Sequence, residues 1–238
     1  AIRRQRQMCI RDRTIPSADR ESVYYLYGGS AVNFSLPELF GGGAAELIYA
    51  YCDALRPRLA AEFAPTFSEY RTAAAHFGAQ LAQYPLRAPD FLPDEGLLAF
   101  LKERKPDVLF LCTPNNPTGV LLPRELLQAA LRICRAQGTC VLLDECFLDF
   151  LQQRDALTAK PLLQTAPNLV ILKAFTKLYA MAGVRLGYAL CSNTALLAKM
   201  QAAGQPWGVS SLAQAAGAAA LRETAYACLL YTSDAADE

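Results

Sequence analysis

Three apolar runs, each closing on a polar turn, constrain this chain more than any other feature. Val108 to Cys112 (VLFLC) leads into TPNNPTG, Val141 to Leu143 leads into Asp144 and Glu145, and Leu169 to Leu172 leads into KAFTK, which ends at Lys177. Short continuous apolar runs bounded by turn residues read as strands covered on both faces. Between the first two lies Pro123 to Gln137, an amphipathic helix with proline in its first turn. Strand, helix and strand in that order form a crossover unit. It predicts an α/β fold with a mostly parallel sheet sandwiched by helices, and ligands at the carboxyl ends of the strands. Asn116, Asp144 and Lys177 all fall at such ends.

The chemistry of those three residues is suggestive. Lys177 sits between an apolar strand and the Gly-containing segment leading to Tyr188, so partial desolvation is expected, which favours the neutral, nucleophilic amine. A Schiff base with an aldehyde needs that form. An acid at the end of a buried strand, as at Asp144, is costly without a partner, and a protonated ring nitrogen would supply one. Arg185 offers a planar fork of donors suited to phosphate. Each residue has a plainer reading: a surface lysine, a helix-end cation, and for Asn116 a turn residue capping backbone.

Taken in order, NNPTG, DECF and TKLYAMAGVRLGY resemble the pyridoxal-phosphate (PLP) enzymes of the aminotransferase class I/II family. The resemblance covers Gly41 to roughly Arg222. It implies the large PLP-binding domain of an aspartate-aminotransferase-like fold over residues 41–227, without the carboxyl-terminal small domain that carries the arginine for the substrate carboxylate. It further implies that Lys177 condenses with the PLP aldehyde and then serves as acid or base, and that Asp144 pairs with the ring nitrogen. Arg185, Thr176 and the amides of Ala44 and Ala45 would hold the phosphate, while Asn116 and Phe67 orient the ring. Phe67, in Pro65-Thr66-Phe67 after the strand Leu59 to Phe63, could equally be a core aromatic. Likewise the turn at Gly41 to Gly43 could simply lead into the helix whose apolar face is Leu47, Ile48 and Tyr51; no dinucleotide-type G-x-G-x-x-G occurs there.

Two departures from the family pattern matter. Phe147 stands where members usually carry Tyr, and Ala174 stands where they usually carry Ser or Thr, so two hydroxyls toward the cofactor are absent. Within the family, the motifs point to members acting on a small phosphorylated amino acid, either by decarboxylation (a lyase) or by transamination. The full-length parent is expected to be a cytoplasmic homodimer. The alternative of another class is a non-catalytic, truncated PLP-binding domain, and the chain as written is expected to lack turnover.

Composition narrows the partners. With 53% hydrophobic and 19% charged residues among 238, the chain can bury a sizeable core. No apolar stretch approaches the ~18 residues of a membrane span, and no secretory leader is recognisable. Both ends look foreign: RRQRQMCIRDR (Arg3 to Arg13) and CLLYTSDAADE (Cys228 to Glu238) can be one DNA string read from opposite strands, similar to a sequencing-library adapter. Residues 1–13 and 228–238 are therefore expected to be disordered tails, and a basic nucleic-acid-binding arm is the rival reading. The first tail carries five Arg against one Asp, the second two Asp and one Glu, and without them the net charge falls from +1 to zero. A neutral body gives no electrostatic case for nucleic acid.

Residues 14–40 show no clean period, so Tyr24, Tyr25 and Tyr27 stay unassigned. Six cysteines outside the tails lack CxxC spacing and read as small core residues in a reducing compartment, and His76 is the one histidine, so no metal is expected.

Overall fold

In the computed structural model, residues 37–205, 208–223 and 226 are described. The tails at 1–13 and 228–238, Tyr24, Tyr25 and Tyr27, and the rest of 14–36 lie outside them. Seven strands form one sheet: β1 (Glu38–Gly41), β2 (Leu59–Ala64), β3 (Gln80–Pro85), β4 (Val108–Cys112), β5 (Cys140–Asp144), β6 (Leu169–Ala174) and β7 (Gly187–Leu190). Their spatial order is β1-β7-β6-β5-β4-β2-β3. The run from β6 to β3 is parallel, and β7 lies antiparallel to both β6 and β1.

Strands β4, β5 and β6 are buried on both faces, as their unbroken apolar sequences require. Helices α1 (Ala44–Leu55), α2 (Glu69–His76) and α7 (Thr194–Ala203) pack on one face through Leu47, Tyr51, Tyr70, Ala73, Leu196 and Met200. The other face is covered by α3 (Gly96–Arg104), α4 (Arg124–Gln137) and α8 (Ser211–Ala220), through residues such as Leu97, Leu101, Leu127, Leu131 and Ala213. The short helices α5 (Arg154–Leu157) and α6 (Phe175–Leu178) sit in the loops after β5 and β6.

Local sequence explains the boundaries. Helix α4 ends at Gly138, whose φ of 78° is the left-handed conformation that closes a helix most cheaply at glycine. Helices α7 and α8 begin at Asn193 and Ser210, whose side chains accept from the amides of Leu196 and Ala213 at 3.1 Å each.

Strand β1 lies in the stretch where periodicity shows nothing. Its four residues pair in register with β7, Glu38 opposite Leu190 and Gly41 opposite Gly187. Four residues are too few to display alternation, so its partner rather than its pattern defines it.

Candidate active site

The carboxyl ends of β2, β4, β5 and β6 lie along one edge of the sheet, and the loops leaving them carry Phe67, Asn116, Asp144 with Phe147, and Thr176 with Lys177. Backbone bonds fix this edge. The Thr113 amide donates to the Asp144 carbonyl at 2.9 Å, the Glu145 amide to Leu172 at 2.9 Å, and the Phe175 amide to Leu186 at 3.1 Å. Each loop therefore departs from a strand already tied to its neighbour.

Asp144 is 5% exposed and is bonded within the chain. The Tyr70 hydroxyl donates to Oδ2 at 2.7 Å, and the Cys146 amide donates to Oδ1 at 2.9 Å. The thiols of Cys112 and Cys146 also lie against it. Burial first and the Asp144 charge second push both up, Cys112 to about 12, so both remain neutral at physiological pH. These cysteines thus help form the wall around the acid, a role beyond that of core filler. The six cysteines outside the tails are all free.

Lys177 departs from the expectation of desolvation. It occupies the single turn α6, whose Phe175 and Leu178 turn inward while Lys177 faces out and is exposed. A one-turn helix buries one side only, and the lysine is on the other. Its Nζ lies 5.3 Å from the centre of the Phe147 ring, within cation–π range. Phe147 thus presents an apolar face to this amine. Ala174 is buried at the end of β6, with no hydroxyl to offer.

The glycine turn before α1 forms a second centre. Gly43 has φ 99°, and a Cβ there would stand 2.6 Å from Nη2 of Arg185, so the guanidinium occupies the space a side chain would fill. Arg185 itself adopts φ 59°, a left-handed conformation costing a non-glycine residue about 1–2 kcal/mol. It also donates to the Ala182 carbonyl at 3.1 Å. Beside it, the first amides of α1, those of Ala44 and Ala45, have no carbonyl a turn earlier to bond. Gly187 of β7 lets this helix start approach closely: a Cβ there would lie 3.0 Å from the Gly43 carbonyl carbon. Glu46 accepts from the Gly42 amide and packs on Gly208, closing the turn from behind.

Asn115, and not Asn116, holds the NNPTG turn. It is buried, its amide donates to Pro65 at 3.1 Å and Thr118 at 2.9 Å, and it accepts from Thr66 at 2.8 Å. Asn116 and Thr176 are half-buried at the same edge. Phe67 is half-buried and meets Tyr70 edge-on, centroids 5.5 Å apart at 82°.

Two features escape the sequence reading. Tyr70 is one, because nothing local marks its bond to an acid 74 positions away. The other is Lys173, 1% exposed, paired with Glu145 at 3.3 Å and Asp149 at 3.0 Å. Its alternation with Leu172 and Ala174 in β6 was a usable signal, since a lysine mid-strand in a doubly covered sheet must be paired. A cavity of about 10 Å³ borders Asp149, Arg154, Phe175 and Tyr179, a water-sized space that Asp144 and Lys177 do not line. Among the described residues no group of three His, Cys, Asp or Glu is placed to hold a metal, and no helix is long and apolar enough to cross a membrane.

The loops at the carboxyl ends of this α/β sheet carry an amine, a buried acid and an aromatic ring, and a guanidinium lies over the start of α1, in a fold shared with a known enzyme family. The chain belongs to the aminotransferase class I and II family, whose profile matches residues 20–228. The match takes in residues 20–40, where the motifs are silent. Threonine-phosphate decarboxylase from Salmonella typhimurium is 38% identical over 218 residues, covering 89% of this chain and 57% of that protein. Histidinol-phosphate aminotransferase from Halalkalibacterium halodurans is 33% identical over 191 residues, covering 79% and 50%. The chain thus spans about half the length of the curated relatives it matches. Among solved structures, histidinol-phosphate aminotransferase from Clostridium acetobutylicum superposes with a TM-score of 0.79 at 22% identity, covering 94% of this chain and 66% of that one, which shows the shared fold. The cofactor of the family is PLP.

The residues present fit that group. Arg185 over Gly43 with the amides of Ala44 and Ala45 forms an anion cradle, and Asp144 keeps lone pairs beyond those used by Tyr70 and Cys146.

Proposed function

We propose that this chain is part of a PLP-dependent enzyme acting on a phosphorylated amino acid, foremost threonine-phosphate decarboxylase, releasing carbon dioxide and leaving aminopropanol phosphate in cobalamin biosynthesis. The observation that supports the site is that Asp144 ends β5 and Lys177 lies in the one-turn helix that directly follows the adjacent parallel strand β6. The substrate rests on the 38% identity to the Salmonella decarboxylase across most of the chain. Histidinol-phosphate aminotransferase is the second reading, favoured by the several such relatives at 32–39% identity. A cytoplasmic homodimer is proposed for the full-length parent. For this chain by itself we propose cofactor binding without turnover.

When bound, PLP supplies an aldehyde for amines and a ring that takes up the electron pair released at the substrate Cα. The protein's part is to bind, orient and move protons. Arg185 and the first amides of α1 would hold the phosphate, with Thr176 contributing a hydroxyl. Asp144 would hold a proton at the ring nitrogen, Asn116 would donate to the phenolic oxygen, and Phe67 would orient the ring plane. Lys177 would hold the aldehyde through its amine and, when that amine is free, give or take a proton at Nζ. Phe147, lacking a hydroxyl, leaves the phenolic oxygen one donor short and instead guides the Lys177 amine by its ring face.

Mixing the chain with PLP should produce visible absorbance that Lys177→Ala abolishes; its absence in the wild type would refute the reading. For the full-length parent, threonine phosphate as substrate with separate detection of carbon dioxide and keto acid distinguishes decarboxylase from aminotransferase.

A further inference from the structure

Tyr70 is fully buried and touches three things at once. Its ring lies parallel to Phe110 of β4, centroids 5.3 Å apart at 6°, its edge contact is with Phe67, and its hydroxyl donates to Asp144. The stack on Phe110 leaves the ring little freedom, so the hydroxyl is delivered to one spot. Burial and the Asp144 charge push the phenol well up, so it stays a donor at any physiological pH. The groups on Asp144, the phenol and the Cys146 amide with the thiols of Cys112 and Cys146 beside them, are all neutral. Two neutral donors hold a carboxylate in place yet leave its charge to be matched by another group.

We propose that Tyr70 is a positioning residue: its hydroxyl and ring together hold the Asp144 carboxylate in one orientation and Phe67 in plane, so that a ring-nitrogen proton is met by one and the ring face by the other. The inference rests on the PLP reading above. The hydroxyl occupies one lone pair of Oδ2 and so fixes which face of the carboxylate is left for a ring nitrogen. Without the hydroxyl the carboxylate can turn away and the pairing weakens. A competing geometry would have Tyr70 occupy the place of the ring nitrogen, in which case removing its hydroxyl would tighten binding.

The test is a titration of the chain with PLP and with its carba analogue, in which CH replaces the ring nitrogen, followed by visible absorbance. Tyr70→Phe keeps the stack and the contact with Phe67 and removes the hydroxyl alone. The wild type should prefer PLP, and Asp144→Asn should erase that preference. Tyr70→Phe should cut the preference roughly five- to tenfold, with affinity for the carba analogue unchanged. A general loss of packing would weaken both ligands alike and would overturn the proposal, as would an unchanged or increased preference for PLP. Should wild type itself show no Lys177-dependent absorbance, the PLP reading fails and this inference with it; wild-type absorbance with an unmoved Tyr70→Phe sinks the inference alone. Tyr70→Leu, which also removes the ring support, should weaken both ligands, separating the ring's part from the hydroxyl's.

Discussion

Asp144 and Glu145 are consecutive, both buried, and provided for in opposite ways. Asp144 faces the layer of α1 and α2 and meets a phenol and an amide. Glu145, with no exposed surface, turns to the other face and meets a cation: Lys173 at 3.3 Å, with Thr158 donating at 2.8 Å and the Ala159 amide at 2.7 Å. Lys173 also binds Asp149, and Lys160 beside them is pushed down by burial first and by the Lys173 charge second. The Glu145 centre is neutralised from within and ties β5, β6 and the loop after β5 together. The Asp144 centre is held by neutral hydrogen-bond donors alone. The difference separates an acid that ties the scaffold together from one that, on the proposed reading, would serve a ligand, though both are hidden from water.

The largest effect should come from breaking the internal centre. Lys173→Met removes the cation in direct contact with two buried carboxylates and should cost about 3–5 kcal/mol in urea unfolding. Replacing Lys173, Glu145 and Asp149 together by apolar residues of similar volume should recover most of that loss. If the triple variant is as unstable as the single one, the cluster is held by more than its charges.

A third buried acid sharpens the contrast. Glu62, 1% exposed in β2, accepts from Gln83 at 2.8 Å, while its other oxygen has no hydrogen bond among the described residues. Burial pushes its carboxyl above the ordinary 4.5, against smaller opposing effects from Gln83 and the Arg71 charge. A raised value in the fold means that its contribution is full below the unfolded value and is lost as pH rises through the folded one. Glu62→Gln should therefore stabilise the chain at pH 7 by about 1 kcal/mol, with the gain shrinking toward pH 4. Chemical denaturation at several pH values reads this directly, and a gain that grows toward acid would contradict it.

The smallest stability effect should be at Asp144 itself. Asp144→Asn keeps an acceptor for the Cys146 amide, and the Tyr70 hydroxyl can rotate to accept from the new amide, so unfolding should shift by less than about 1 kcal/mol. PLP-dependent absorbance should nevertheless fall sharply. A loss of stability matching Lys173→Met would erase the distinction between the two centres.

The motif order made the strand ends legible. Asp144 and Lys177 could be placed at or just beyond strand ends because apolar runs stop where a buried strand stops, while the assignment of Arg185 and the Ala44 and Ala45 amides to a phosphate belongs to the proposed function. The exposure of Lys177 could not be read, because the composition around a one-turn helix does not say which side faces out. Strand β1 stayed hidden for lack of length. The pairing of Lys173 follows from its place in a doubly covered strand, where a lysine demands a partner, but which acids supply it is not local information.

Sequence alone determined the succession of strands, the loops that end them and the types of side chain each loop offers, since local polarity and backbone preference act within a few residues. Tertiary structure decided which of two adjacent acids meets a phenol and which meets a lysine. Successive residues along an extended chain point to opposite faces, and what waits on each face, Tyr70 on one and Lys173 on the other, arrives from elsewhere in the chain.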